Sequence, residues 1–170
     1  MIIRLFKRSE SGATAVEFAL IAPVLVLIFM AIIELSIMFF VSVNIDGAAI
    51  EAARRIRTGQ TQSSGNPETD FTSTLCANLN SMISCGSVYY DSRVMGAYSA
   101  VSLGIEYDPD TGEPITYGFN AGGSGDILVV RVMYSWSINT PLIGSIFETT
   151  PGTNKRLLMT TSVFQSEPYE

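Results

Sequence analysis

The chain has 170 residues, with 16 acidic and 10 basic side chains, a net charge of −6 and no histidine. That length allows one modest domain beside a membrane segment. Beyond residue 59 the only bases are Arg93, Arg131, Lys155 and Arg156, so the acidic distal part repels phosphate backbones, which excludes nucleic acid as a partner. The missing imidazole removes the commonest general base and neutral metal ligand.

Residues 1–11 carry Arg4, Lys7, Arg8 and a single acid, Glu10. Residues 18–43 then run without a basic residue. A hydrocarbon core of ~30 Å takes about 20 apolar residues in a helix, so this run suffices to span it. Positive charge before the span and an acidic region after it place the N-terminus in the cytoplasm and the remainder outside. A cleaved secretory signal would have a shorter apolar region, about 7–15 residues, before its small-residue site. Gly47-Ala48-Ala49 offers only a weak site of that kind.

Within this segment three residues exceed what an anchor needs. Glu17 stands at its cytoplasmic edge, Pro23 interrupts it, and Glu34 lies ~25 Å along the axis from Glu17 at 1.5 Å per residue. A carboxylate at membrane depth costs about 2.5–3.5 kcal/mol on insertion scales. Glu34 therefore reaches the outer headgroups, is protonated, or meets another helix. Pro23 lacks an N–H and frees the carbonyl of Ala19, so a bend or local opening is expected there.

Residues 44–58 continue the helix as a stalk. Ala48, Ala49, Ala52, Ala53 and Ile56 make its apolar face, Glu51 can pair with Arg55, and Thr58-Gly59 ends it. Arg54, Arg55 and Arg57 form either a lipid-phosphate contact or a solvated helix end. After a polar loop, residues 68–83 show Phe71, Leu75, Leu79, Met82 and Ile83 at helical spacing, which predicts a second helix ending near residues 80–84. In an oxidising compartment Cys76 and Cys85 form a disulfide tying that helix end to the next strand, worth about 2–3 kcal/mol by loop entropy.

The remainder is β-rich. Residues 87–94 are a possible strand. Val101, Leu103, Ile105 and Tyr107 alternate with polar or small residues as in a half-buried strand, and Ile115, Tyr117 and Phe119 return from a turn at 108–114. The Asp108-x-Asp110-x-Gly112 spacing matches only part of a calcium loop, so no metal is assigned. Residues 127–138 are apolar on both faces, as in a central strand covered on both sides or one whose outer face meets a partner. Residues 141–153 form an apolar insert that packs down or faces the membrane, and residues 155–165 are the last strand. The fold class is α+β: a long N-terminal membrane and stalk helix, then one further helix on an antiparallel sheet. Its expected divisions are 1–12, 13–58 and 59–170.

The string GATAVEFALIAP starting at Gly12, with a later IIEL ending at Leu35, resembles the TadE-like pseudopilins of the tight-adherence (Flp) type IV pilus system. The A-x-x-A-A-R stretch ending at Arg54, the D-I-L-V-V-R-V lead from Asp126 and the closing Glu167-Pro168-Tyr169 are similar to them as well. That resemblance implies a pilin-like fold and a processing site formed by Gly12, Ala13, Glu17 and Phe18, where a prepilin peptidase cuts after Gly12. It implies that Glu17 pairs with the new amine of a neighbouring subunit, and that Glu17, Pro23 and Glu34 serve helix packing and assembly. The implied partners are the prepilin peptidase, other pseudopilins and pilus subunits, the inner-membrane pilus platform and the lipid bilayer. The implied location is the bacterial inner membrane, single-pass, with the C-terminal domain periplasmic.

No cofactor or catalytic residue is expected, since there is no Gly-x-Ser-x-Gly, phosphate loop or dinucleotide motif. The alternative functions are an uncleaved membrane-anchored accessory or adhesion protein, and an enzyme of unrecognised type.

Overall fold

The computed structural model describes residues 12–102, 104–108 and 111–169. The expected leader charges Arg4, Lys7, Arg8 and Glu10, with Leu103 and Asp110, lie outside the described residues. Helix α1 (Ala13–Arg57) runs for 45 residues and continues through Pro23. Helix α2 (Pro67–Asn78) follows, then strands β1 (Val88–Met95) and β2 (Ile127–Ser137), a short helix α3 (Gly144–Phe147) and strand β3 (Lys155–Gln165). The strands form an antiparallel sheet in the order β1-β2-β3. The architecture is α+β, and α1 is long and apolar enough to cross a membrane.

Only the C-terminal half of α1 belongs to the core. Its buried residues are Val41, Ile45, Ala48, Ala49, Ala52, Ala53 and Ile56, one helical stripe at spacings of three and four. The alanines let the helix backbone lie close to the sheet, where Leu128, Val130, Val132 and Leu158 close the same core. Phe71 and Leu75 of α2 fill its side. The Phe71 ring lies 5.5 Å from that of Tyr90 and 5.1 Å from that of Phe119, at centroid separations that favour aromatic pairs.

The C-terminal end of α1 is fixed by polar contacts. At its C-terminus Arg57 O accepts from Glu167 N, and the Arg57 guanidinium lies 3.0 Å from the Glu167 carboxylate. Gly59 has φ +76°, and a Cβ there would come within 2.5 Å of the Tyr169 ring, so both conformation and space demand glycine. The closing Glu-Pro-Tyr thus docks on the end of the helix. β2 descends from this level towards residue 34 and β3 returns, which puts the β2–β3 connection at the opposite end of the domain.

Several expectations need correction. α2 stops at Asn78 rather than near residues 80–84, because Leu79 is already extended and Asn80 N donates to the Asn44 side chain at 2.9 Å. That early exit lets Cys76 and Cys85 approach to 5.4 Å between Cα atoms, where they are joined by a disulfide. Arg55 does not pair with Glu51. It makes a two-pronged contact with Asp70 of α2, at 2.6 and 3.2 Å, while Glu51 takes Arg54. All three arginines at this helix end are thereby paired within the chain.

No strand forms among the described residues of 101–107. Two backbone bonds, Asp108 N to Glu113 O and Ile115 N to Glu106 O, make a short hairpin. The alternation there reports packing without a ladder, since this segment lies over the sheet face opposite α1. Phe119 instead joins the edge of β1, where Ser92 N donates to Gly118 O and Asn120 N to Ser92 O.

That covered face holds a buried ion pair. Asp91 and Arg131 stand opposite one another on β1 and β2 and are 0% and 1% exposed. Arg131 donates through Nε and Nη2 to the two Asp91 oxygens at 3.1 and 2.9 Å, and through Nη1 to Gly104 O at 3.0 Å. The face of β2 opposite α1 is therefore covered, among the described residues, by Gly104, Glu113 and Tyr117 of the β1–β2 connection. A fully paired guanidinium also explains how an arginine fits in an otherwise apolar strand.

Removing one member of this pair leaves a buried charge alone. Asp91→Ala should cost about 3–5 kcal/mol in urea unfolding of the detergent-solubilised chain, and the double change Asp91→Leu/Arg131→Met should cost less than the single one. A double variant no more stable than the single would refute the account. Two other carboxylates set an acid limit. The Arg55 hydrogen bond, helped by Thr61 and opposed by burial, holds Asp70 below its usual range. Lys155, with Tyr89 and Ser135 and again against burial, does the same for Glu113. Both therefore bind protons more readily unfolded, so their stabilisation is complete above the unfolded value of about 4. It is lost as pH falls through the depressed native values. Trp136 fluorescence melts between neutral and acid pH should show this loss, shallower in Asp70→Asn.

Candidate functional site

The N-terminal half of α1 makes no core. Val16, Phe18, Leu20, Ile21, Val24, Phe29, Met30, Ile32 and Ile33 are all exposed. Residues 13–33 measure about 31 Å at 1.5 Å per residue, close to the ~30 Å of a hydrocarbon core. The domain begins to cover the helix where that length ends.

The residue at the junction is Glu34, only 8% exposed. Its Oε1 accepts from Asn139 N at 2.9 Å and from Trp136 Nε1 at 3.3 Å. Its Oε2 accepts from Thr140 N at 2.8 Å and from the Thr140 hydroxyl. Four donors, two of them backbone amides, converge on one carboxylate. Neither a headgroup contact nor an interhelical contact accounts for this burial: the chain's own β2 end and the turn after it solvate the charge. The sequence alone does not show the partners Trp136, Asn139 and Thr140. A lone acid inside an apolar run required donors, yet nothing in linear order linked residue 34 to donors more than a hundred positions later.

The other expected site residues lie apart from Glu34. Gly12 caps the start of α1 with φ −95°, and a Cβ built there would meet nothing within 4 Å. Neither conformation nor space requires glycine at this position. Ala13, Glu17 and Phe18 are exposed, and Glu17 has no hydrogen bond or ion pair to another described residue. Glu17 lies one turn after Ala13, on the same side of the helix. Pro23 is exposed within the continuous helix. Cys76–Cys85 lies beside the C-terminus of α2, distant in sequence from both sets.

A second surface continues above Glu34. On the side of α1 turned away from the sheet, Ser36, Phe40, Val43, Gly47 and Ile50 are exposed at alternating spacings of four and three. This is the seam period of helix-to-helix packing. Phe39 is 71% exposed beside it. The same helix thus presents a buried alanine face to its own domain and an uncovered apolar face outward.

Residues 12–54 match the sequence profile of the family described as TadE-like protein. The matched stretch runs from the helix start to Arg54 and includes Gly12, Glu17, Pro23 and Glu34. No curated protein and no solved structure matches the chain.

The Glu34 cluster makes a measurable claim. Glu34→Ala leaves buried donors unsatisfied, each worth about 1–3 kcal/mol, and should lower the thermal midpoint of the detergent-solubilised chain. Glu34→Gln should also destabilise it, because one amide NH2 then faces donors. Wild-type melting in both variants would show that the cluster contributes nothing.

Proposed function

We propose, from the TadE-like character of residues 12–54, that this chain is a minor pilin or pseudopilin that helps initiate or tip a Tad/Flp pilus. A prepilin peptidase removes residues 1–12, and the product remains a single-pass inner-membrane protein with its domain in the periplasm. The chain is a subunit rather than a catalyst. Its partners are other pseudopilins, pilus subunits and the membrane platform of the pilus.

The observation that carries this reading is the separation of roles along α1. One stripe of α1, from Val41 to Ile56, is committed to the domain, whereas Gly12, Ala13, Glu17 and the apolar residues after them are uncovered. A glycine required by neither space nor backbone angle is accounted for by a protease that must hold extended chain. Cleavage creates an amine on Ala13. Glu17 of one subunit, which has no hydrogen bond or ion pair to another described residue, can then neutralise the amine of the next. In a low-dielectric bundle such a pair offsets part of the burial cost of both charges and fixes axial register. The outward seam of Phe40, Val43, Gly47 and Ile50 extends the same contact beyond the membrane.

Intact-mass measurement after co-expression with a prepilin peptidase tests the first step. The wild type should lose residues 1–12, and Gly12→Leu should remain full length while keeping the wild-type melting curve. Glu17→Ala should be processed normally yet fail to enter assemblies captured by crosslinking with pilus subunits. An uncut wild-type chain would support the membrane-anchored accessory role instead, and unchanged assembly of Glu17→Ala would remove the register role of that charge.

A further inference from the structure

Two large apolar side chains in the β2–β3 connection have no cover. Leu142 is 75% exposed and Ile146 73% exposed, four residues apart, while Gly144 between them is buried. Leu142 has φ +67°, the left-handed region that disfavours a branched side chain. Strain of this kind persists only where the surrounding fold imposes it. Here Thr140 is held by Glu34 just before Leu142, and Glu148 just after α3 accepts from Gly152 N and Asn154 N at 2.9 Å.

Both tips occupy a defined height. Glu34 binds Asn139 and Thr140, so the connection starts at the level where the uncovered helix reaches about 31 Å. β2 descends to this level and β3 leaves it, so the connection is the end of the domain nearest the apolar half of α1. Trp136, with its Nε1 on Glu34, lies at the same height, the depth favoured by tryptophan at membrane interfaces. Arg156, exposed beside Phe147 O at 3.4 Å, supplies a cation near the tips.

We infer that Leu142 and Ile146 insert into the outer leaflet of the same bilayer that α1 spans, with Arg156 at the phosphates, giving the domain a second membrane contact. Its occupant is lipid, because the tips share the level at which the span ends. The Glu34 cluster positions the contact by holding Thr140. Two points of attachment fix the tilt and rotation of the domain over the membrane, which a lone helix leaves free. This inference rests on α1 crossing the bilayer but not on pilus assembly.

The test uses the full chain, disulfide intact, in phosphatidylcholine/phosphatidylglycerol vesicles. Leu142→Cys and Ile146→Cys, introduced separately, carry a polarity-sensitive fluorophore, with matched labels at Val24→Cys within the span and Ser64→Cys at the far end of the domain. Labels at 142 and 146 should emit blue-shifted light and be quenched by shallow nitroxide lipids several-fold more than the label at 64, while the label at 24 is quenched by nitroxides placed deep in the acyl chains. Quenching at 24 with water-like emission at 142 and 146 would overturn the second contact while leaving the span intact. Blue-shifted emission at 142 without lipid quenching would assign the tips to a protein partner and overturn it likewise. No quenching at 24 would overturn the span reading and this inference together.

Discussion

A carboxylate on an apolar helix has to be solvated by something, and in this chain the solvent for Glu34 is the protein itself. Two backbone amides, a hydroxyl and an indole N–H surround it. Charged acceptors make stronger hydrogen bonds than neutral ones, and a buried one is held to the geometry its donors dictate. The contact joins position 34 of α1 to position 140 after β2, so it fixes the height of the sheet along the helix. Everything else in the relation between domain and membrane segment follows from that height. A shift of one turn would carry the carboxylate past its donors and leave both sides unsatisfied.

The alanine stripe works with this contact by a different kind of force. Ala48, Ala49, Ala52 and Ala53 are smooth and small, and on their own they bury little area and specify little register. Ile45 and Ile56 anchor the same face at its ends, and Arg55 ties it sideways to Asp70 of α2. Close approach comes from the alanines, while position comes from Glu34 at one end and from Arg57, Glu167 and Tyr169 at the other. The helix is thereby docked as a rigid edge of the domain, and its other faces stay available.

Much of this could be read in linear order, and the failures have identifiable causes. The helix, its apolar run and the strands at 127–137 and 155–165 were legible because each carries a strong period or a long uninterrupted run. The segment at 101–107 misled because half-burial alone yields the alternation of a strand, and here it arises from chain laid over Arg131. The helix end at Asn78 was hidden because Leu79, Met82 and Ile83 keep helical spacing after the backbone has turned away. Charge partners were the least legible. Glu51 and Arg55 have the right spacing for one another, yet a two-pronged contact with Asp70 wins because it is partly buried and satisfies Thr61 too. The donors of Glu34 were invisible because their proximity is created only by the descent of β2.

The two apolar faces of α1 differ in what they require of a partner. The alanine face meets a sheet that is already folded, and its small side chains permit close contact at fixed height. The outward face at Phe40, Val43, Gly47 and Ile50 alternates bulk with a gap at Gly47, where nothing within 4 Å meets a Cβ. A helix laid along it could seat a large side chain at Gly47 and be gripped by Phe40 and Ile50 on either side. Such packing depends on axial register just as the Glu34 contact does. A domain clasped rigidly at the Glu34 height fixes where this outward face stands along α1 relative to the apolar half below it.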